Sequence, residues 1–121
     1  SSDWSSIDSS GAIRSAYLAK TDGTGICPTG FRVPTEAELT AERTSWSSNN
    51  SAGAFASPLK LTVAGNRNYG DGSLNDVGSY GSYWSSTVDG AYSRTLVFYS
   101  GSAGMYSDSR ALGLTVRCLK D

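Results

Sequence analysis

The chain has 121 residues and a formal net charge of −1, it lacks histidine and glutamine, and 53 of its residues are Ser, Thr, Gly or Tyr. A near-neutral chain lacks the basic surface that nucleic-acid binding needs, and no apolar run approaches the roughly 18 residues of a membrane span. The absence of histidine removes the usual general base and the usual zinc ligand. The composition favours short strands and many turns, and the length predicts one domain over residues 1–121.

Residues 1–25 are polar and rich in turn-forming side chains. The periodicity of residues 12–18 is ambiguous, and we interpret this segment as a short strand; residues 22–25 mark a turn. Trp4 lies near the start of the chain and is assigned neither to the core nor to a surface. The sequence begins at Ser1 without Met or a signal-peptide pattern, so we expect an excised domain or a mature fragment.

The strongest helix signal begins at Thr35. Thr35 and Glu38 match a capping box, in which the Thr35 hydroxyl accepts from the Glu38 amide and the Glu38 carboxylate accepts from the Thr35 amide. Leu39 and Trp46 follow two turns apart on the same face, so both are predicted to be buried. The predicted helix ends within residues 47–50.

Strands dominate the second half of the chain. An alternation of apolar and polar residues predicts a half-buried strand over 59–63, and a long glycine-rich loop follows over 64–79. Trp84 lies in the next predicted strand and is expected in the core. The rest forms an antiparallel meander with strands at 80–87, 94–99, from 105 and at 112–118, and with turns at 89–90 and 101–104.

The two cysteines, Cys27 and Cys118, lie in different predicted elements far apart in the chain. A bridge that closes a loop of about 100 residues stabilises a fold by up to roughly 4–5 kcal/mol in the chain-entropy model. We therefore predict a Cys27–Cys118 disulfide, which implies an oxidising compartment. The alternative is a pair of buried free thiols.

Four ordered motifs resemble one known family. They are the segments 27–38 (CPTGFRVPTEAE), 64–80 (AGNRNYGDGSLNDVGSY), 83–87 (YWSST) and 116–121 (VRCLKD), and together they place the resemblance over residues 26–121. The family is the major paralogous domain, often called FISUMP, of bacterial secreted and surface proteins. The resemblance implies an α+β, C-type-lectin-like fold related to that of the formylglycine-generating enzymes. In that fold the termini meet, one or two helices pack on a twisted antiparallel sheet, and long loops carry the ligand.

Domains of this kind are also similar to the variable proteins of diversity-generating retroelements, in which error-prone copying replaces adenines, mostly in Asn codons. That process does not produce Lys, Glu, Gln or Trp, and residues 87–113 contain none of the four. The resemblance implies a noncovalent, adhesin-like ligand-binding domain of a bacterial or phage surface protein. Its binding face would be sequence-variable and would lie in the C-terminal strands and loops, roughly residues 89–113.

The composition of residues 78–113 supports a binding face, because it holds five Tyr, nine Ser and six Gly. Antibody paratopes use the same residues, since Tyr supplies a large rigid contact area and Ser and Gly adapt around it. Strand alternation predicts one exposed patch, in which Tyr99, Tyr106 and Asp108 are the foremost contacts. The full set of predicted ligand-binding residues is Asp89, Tyr92, Arg94, Tyr99, Ser102, Tyr106, Asp108 and Arg110.

A second interpretation of this composition is structural. Tyr suits strands and Ser and Gly suit turns, whatever the function. The domain would then be a structural module of a secreted surface lipoprotein or fibre with no dedicated ligand.

The long loop contains oxygen donors of the kind that calcium uses, at Asn66, Asn68, Asp71, Asn75 and Asp76. Their spacing fits no EF-hand, and Asn and Asp beside Gly commonly form turns. We therefore expect no metal site and no cofactor, with calcium as the alternative.

Catalysis is not expected. The acids Glu36 and Glu38 are explained by helix capping, Ser/His/Asp chemistry lacks its histidine, and both cysteines are assigned to a structural pair. We expect a protein or glycan ligand on another cell or host surface, no nucleic acid and no membrane insertion by this domain. The expected location is extracellular, on a cell or virion surface, and a variable site does not encode the identity of its ligand.

Overall fold

A computed structural model describes residues 6–121 of the chain, so Trp4 lies outside the described residues. The described part is α+β. The helices are a 3₁₀ turn at Ser6–Asp8 followed by α1 (Ala12–Leu18), α2 (Glu36–Thr44) and α3 (Ser51–Ala56). The strands are β1 (Phe31–Arg32), β2 (Asn66–Arg67), β3 (Leu74–Asn75), β4 (Gly81–Asp89), β5 (Tyr92–Phe98), β6 (Ala103–Ser109) and β7 (Leu119–Lys120).

The largest sheet is the predicted antiparallel meander, in the order β4-β5-β6. Asp89 pairs with Tyr92, so β4 and β5 are joined by a two-residue turn. Gly90 begins that turn at φ +56°, a positive angle that a tight hairpin turn requires and that glycine adopts without strain. The sequence prediction of this hairpin is confirmed.

The core lies between one face of this sheet and the helices α2 and α3. Leu96 and Phe98 of β5 are fully buried there with Leu39 of α2. The Tyr83 ring stacks on Phe98 with the ring centroids 5.8 Å apart, and Trp46 meets Phe98 edge-on at 5.7 Å. Leu39 is therefore buried as predicted, and Trp46 packs against the core while part of it is exposed.

The helix α2 begins as predicted. Thr35 is its N-cap, and both hydrogen bonds of the capping box are present between Thr35 and Glu38. The helix ends at Thr44, before the predicted region, and its C-cap Ser45 donates from its hydroxyl and amide to carbonyl oxygens of the last turn.

Residues 12–18 are helical, so the predicted strand is wrong. Both carboxylate oxygens of Asp8 accept hydrogen bonds from backbone amides of the first turn of α1, those of Ile13 and Arg14. These amides have no partner within the helix, and a carboxylate there is also favoured by the helix dipole. The helix lies against β4, where the Ser15 hydroxyl donates to the Ser86 carbonyl.

Two further predicted strands are not ladders. Residues 59–63 do alternate in burial, with Leu61 fully buried, but they pair with no strand. The Thr62 amide instead donates to the Tyr83 hydroxyl, and the Leu61 amide donates to the Ala54 carbonyl. The segment 112–118 makes only isolated bridges, from Gly113 and from Thr115. The helix α3 was not predicted.

The predicted disulfide between Cys27 and Cys118 is present, with an S–S distance of 2.02 Å. Beside it, β1 pairs antiparallel with β7, so the segment that enters α2 is joined to the end of the chain. A disulfide is typical of an oxidising compartment. Across residues 6–121, no helix is both long and apolar enough to cross a membrane.

Candidate functional site

The predicted ligand-binding residues do not form one patch, because successive residues of a strand point to opposite faces of a sheet. Arg94 lies on the core face of the sheet and binds Glu36 at the N-terminus of α2, with Arg94 Nε 2.9 Å from Glu36 Oε1. It also donates to Ser107, whose hydroxyl donates to Asp89. Tyr92 is exposed at the hairpin beside Asp89. Arg94 therefore joins α2 to the sheet, and its guanidinium is bound to Glu36 and Ser107.

Arg110 was predicted on the surface and is buried, so that part of the prediction is wrong. Its side chain has no exposed area and donates to the carbonyl oxygens of Asp8, Ser9 and Ala91, at 2.8–3.2 Å. Its Nη1 also lies 3.9 Å from Asp8 Oδ2. The residue follows the last residue of β6, where strand alternation no longer applies, and it fastens the N-terminal segment to the β4–β5 turn.

The other four predicted residues, Tyr99, Ser102, Tyr106 and Asp108, line one groove of about 500 Å³. This groove lies on the face of the sheet opposite the core. It continues over the long loop and the C-terminal segment, and its further lining residues are Asn66, Asp76, Tyr80, Ser82, Val97, Ala103, Ser107, Leu112 and Leu114. The structure therefore brings together half of the predicted set, including the three foremost contacts.

Glycines allow the tyrosine rings to lie close to the backbone. A Cβ at Gly104 would stand 3.1–3.3 Å from the ring and hydroxyl of Tyr106, and one at Gly101 would stand 2.8 Å from the Tyr99 ring. The Tyr99 ring also stacks on Tyr80, with the centroids 5.0 Å apart and the planes at 28°. The Tyr99 ring thus lies between Tyr80 and the backbone of Gly101, and the Tyr106 ring lies against the backbone of Gly104.

Asp108 is fixed in the floor of the groove. Its Oδ2 accepts a hydrogen bond of 2.7 Å from Thr95 Oγ1 on the neighbouring strand β5. No hydrogen bond to Asp108 Oδ1 is found among residues 6–121. One oxygen therefore positions the carboxylate and the other is available to a ligand.

The sequence analysis did not assign Tyr80 or Asp76 to the binding face, because Tyr80 was predicted to begin a strand and Asp76 was considered only as a calcium donor. The loop contains a short hairpin, β2–β3, and then reverses at Asp76, which adopts φ +59°. The Tyr80 amide donates to the Asp76 carbonyl, and the Tyr80 carbonyl accepts from the Gly65 amide, so the end of the loop is bound to its start. The signal that could have found them is segment 64–80, which carries the family resemblance.

The oxygen donors of the loop are partly used in turns. Asn68 Oδ1 accepts from the Gly70 amide at 2.7 Å, and Asp71 Oδ1 accepts from the amide and hydroxyl of Ser73 at 2.9 and 2.7 Å. The two hydrogen bonds from Ser73 lower the pKa of the exposed Asp71 carboxyl below its ordinary value. Within residues 6–121, no three or more His, Cys, Asp or Glu side chains cluster as metal ligands.

Glu38, which the sequence assigns to helix capping, also forms an ion pair. Glu38 binds Arg32 through both carboxylate oxygens, and this pairing, with the capping bond, lowers the pKa of Glu38 to about 2.

Trp84, predicted in the core, instead lies on the opposite face of the sheet and is half-buried. It lines a second cavity of about 320 Å³ with Tyr17, Ile26 and others.

Among the comparisons with known proteins, only a family model matches the chain. No curated protein and no solved structure gives a significant match to the chain. A family model described as "Domain of unknown function (DUF8237)" matches residues 35–119, from the N-cap of α2 to the first residue of β7. Because this match includes α2, the whole meander and every residue that lines the groove, and spans well over half of the sequence, the chain belongs to the DUF8237 family.

Proposed function

We propose that this domain binds a ligand noncovalently through the groove of Tyr80, Tyr99, Tyr106 and Asp108, as the adhesin-like part of a bacterial or phage surface protein. The observation that carries the proposal is the meeting of these tyrosines and a fixed carboxylate in one open groove. Tyrosine offers a large contact area and a polar hydroxyl at a low entropic cost, which suits it to recognition.

The groove is exposed and still able to form new contacts. Tyr99 is 37% exposed and Tyr106 is 52% exposed. Among residues 6–121, no hydrogen bond to the hydroxyls of Tyr80, Tyr99 or Tyr106 is found. The rings are nevertheless held in place by stacking and by contact with glycines, so a ligand would order few side chains on binding.

The proposal extends to a C-type-lectin-like fold. It is supported by the pairing of β1 with β7, by the disulfide beside that pairing, by two helices packed on one sheet face, and by a long loop that reaches the groove. These features agree with what the FISUMP resemblance implies. The disulfide also supports an extracellular, cell-surface or virion-surface location.

The groove narrows the predicted variable face to a few positions. Within residues 89–113, Tyr99, Ser102, Tyr106 and Asp108 line the groove, whereas Arg94 and Arg110 hold the fold together. Sequences of the same gene from many isolates, with the neighbouring DNA, test this. Variation at the groove positions beside a reverse-transcriptase gene supports the hypothesis, and invariance across 89–113 refutes it.

No catalytic role is proposed. Glu36 and Glu38 are the acids that the sequence singles out, and each is bonded to an arginine, Arg94 and Arg32 respectively. The proposed activity is binding alone.

A binding screen tests the groove. The wild-type domain is applied to glycan and protein arrays, with and without a calcium chelator, alongside the double variant Tyr99→Ala/Tyr106→Ala. Tyr17→Ala is the matched control, since Tyr17 is also exposed but lies on α1. We expect wild type and the control to bind the same target and the double variant to lose it. Equal binding by all three would exclude the groove as the binding site. If the wild-type domain binds no target at all, the structural-module interpretation is favoured instead.

A further inference from the structure

We infer that the groove receives an arginine side chain from a basic segment of a partner protein. This inference rests on the proposed function of the groove and names the chemistry of its ligand. Asp76 and Asp108 are the only charged residues that line the groove among the residues described.

The arginines of the surroundings do not neutralise this charge. The Arg67 side chain lies against Gly113 and donates to the Gly72 carbonyl. Arg94 is bound to Glu36 on the core face of the sheet, and Arg110 is buried against the N-terminal segment. Within the part of the chain that the structure describes, the groove is thus lined by two acidic side chains and by no basic one.

A ligand that covers the groove removes water from both carboxylates. Burying a carboxylate is costly unless a cation or several hydrogen bonds replace its water. A neutral glycan can donate hydrogen bonds to Asp76 and Asp108, but it brings no positive charge. A cationic ligand supplies both, so charge complementarity favours it.

The aromatic wall distinguishes arginine from lysine. A guanidinium group is planar, stacks on aromatic faces and is weakly hydrated, while the ammonium group of lysine is a compact, strongly hydrated charge. The groove offers the Tyr106 ring and the stacked pair Tyr80–Tyr99 beside the free Oδ1 of Asp108. A guanidinium can contact a ring with its face and a carboxylate with its edge.

A pair of peptides provides the test. The probe is a capped peptide of alternating glycine and arginine, and its control carries citrulline, a neutral isostere, in place of each arginine. Binding is followed by amide chemical shifts of the full 121-residue chain. We expect saturable shifts around Tyr99, Tyr106 and Asp108, and binding of the citrulline peptide that is at least about tenfold weaker.

Three variants assign the charge effect to the groove. Asp108→Asn removes the charge and keeps an oxygen that can accept from the Thr95 hydroxyl. Asp76→Asn removes the charge in the loop and keeps an oxygen that can accept from the Asn66 side-chain amide. Asp22→Asn is the matched control, because Asp22 is an exposed carboxylate that bonds Thr24 and does not line the groove. We expect each groove variant to weaken the arginine peptide about tenfold and the control to leave it unchanged.

The outcomes separate this inference from the proposed function. No saturable binding of the arginine peptide, equal binding of both peptides, or equal loss in Asp22→Asn overturns the arginine inference. If the arrays still yield a target that depends on Tyr99 and Tyr106, such as a neutral glycan, the groove remains the binding site and only its ligand class is wrong. If neither arrays nor peptides bind, the proposed function fails as well.

Discussion

Arg110 gives the sharpest test of how the structure divides binding residues from structural ones. Substitution by methionine keeps most of the side-chain volume and removes the charge and all donors. Among the residues described, the guanidinium donates to the carbonyl oxygens of Asp8, Ser9 and Ala91, and it lies near the Asp8 carboxylate with no exposed area. Removing one partner of a buried, hydrogen-bonded ion pair typically destabilises a fold by about 3–5 kcal/mol. We expect Arg110→Met to lower the free energy of unfolding by about that amount.

Urea unfolding followed by tryptophan fluorescence measures the effect. A loss of this size corresponds to a fall in Tm of roughly 10–20 °C for a domain of this length. Arg117→Met is the control, because Arg117 is exposed and its loss should change the stability by less than about 0.5 kcal/mol. A change below about 1 kcal/mol for Arg110→Met, or a stable variant that loses the ligand, would refute the structural assignment.

Three further predictions concern the bridge, the cap and the groove. The double variant Cys27→Ser/Cys118→Ser should lower the free energy of unfolding by up to roughly 4–5 kcal/mol, and reductant should destabilise only the wild type in urea. Glu38 has a folded pKa of about 2 against an ordinary 4.5, so its stabilisation is complete above pH 4.5 and is lost as pH falls towards 2. Acid titration of unfolding should show this loss, and Glu38→Gln should lack that part of it. Gly104→Ala should displace the Tyr106 ring and weaken ligand binding, with a stability change within about 0.5 kcal/mol by urea unfolding.

Elements with local signals could be predicted from the sequence. The capping box of Thr35 and Glu38 requires only residues within one turn, and both of its hydrogen bonds form. The β4–β5 hairpin depends on Gly90 between two runs of strand-forming residues, which is also local. The disulfide was predictable because the chain contains only two cysteines.

Elements that depend on distant partners could not be predicted from the sequence. The N-cap residue of α1, Gly11, has no side chain to cap the helix, and the Asp8 carboxylate binds the first-turn amides from a separate 3₁₀ turn. Residues 59–63 do alternate in burial, but the segment lies across Tyr83 and not beside a strand. The Thr62 amide donates its hydrogen bond to the Tyr83 hydroxyl, where a strand residue would donate to a neighbouring strand. A burial pattern with period two reports one buried face and does not show what pairs with the backbone.

The candidate site shows the same division. Tyr99 and Tyr106 were predictable, because their composition signal is local and they lie on exposed parts of the meander. Tyr80 enters the groove only because the preceding loop folds back on Gly65. Arg110 was misassigned because a charged residue in a polar segment suggests a surface, while its partner Asp8 lies at the other end of the chain.

The meander therefore carries two kinds of side chain with different tolerance for change. Arg94 and Arg110 each connect the sheet to another part of the chain, so their loss leaves a buried or half-buried partner without its cation. Tyr106 and Ser102 project into an open groove, and the β5–β6 ladder beneath them is made of backbone hydrogen bonds that do not depend on side-chain identity. We therefore expect substitutions at these groove positions to change the stability little, which is what the proposed variable binding surface requires.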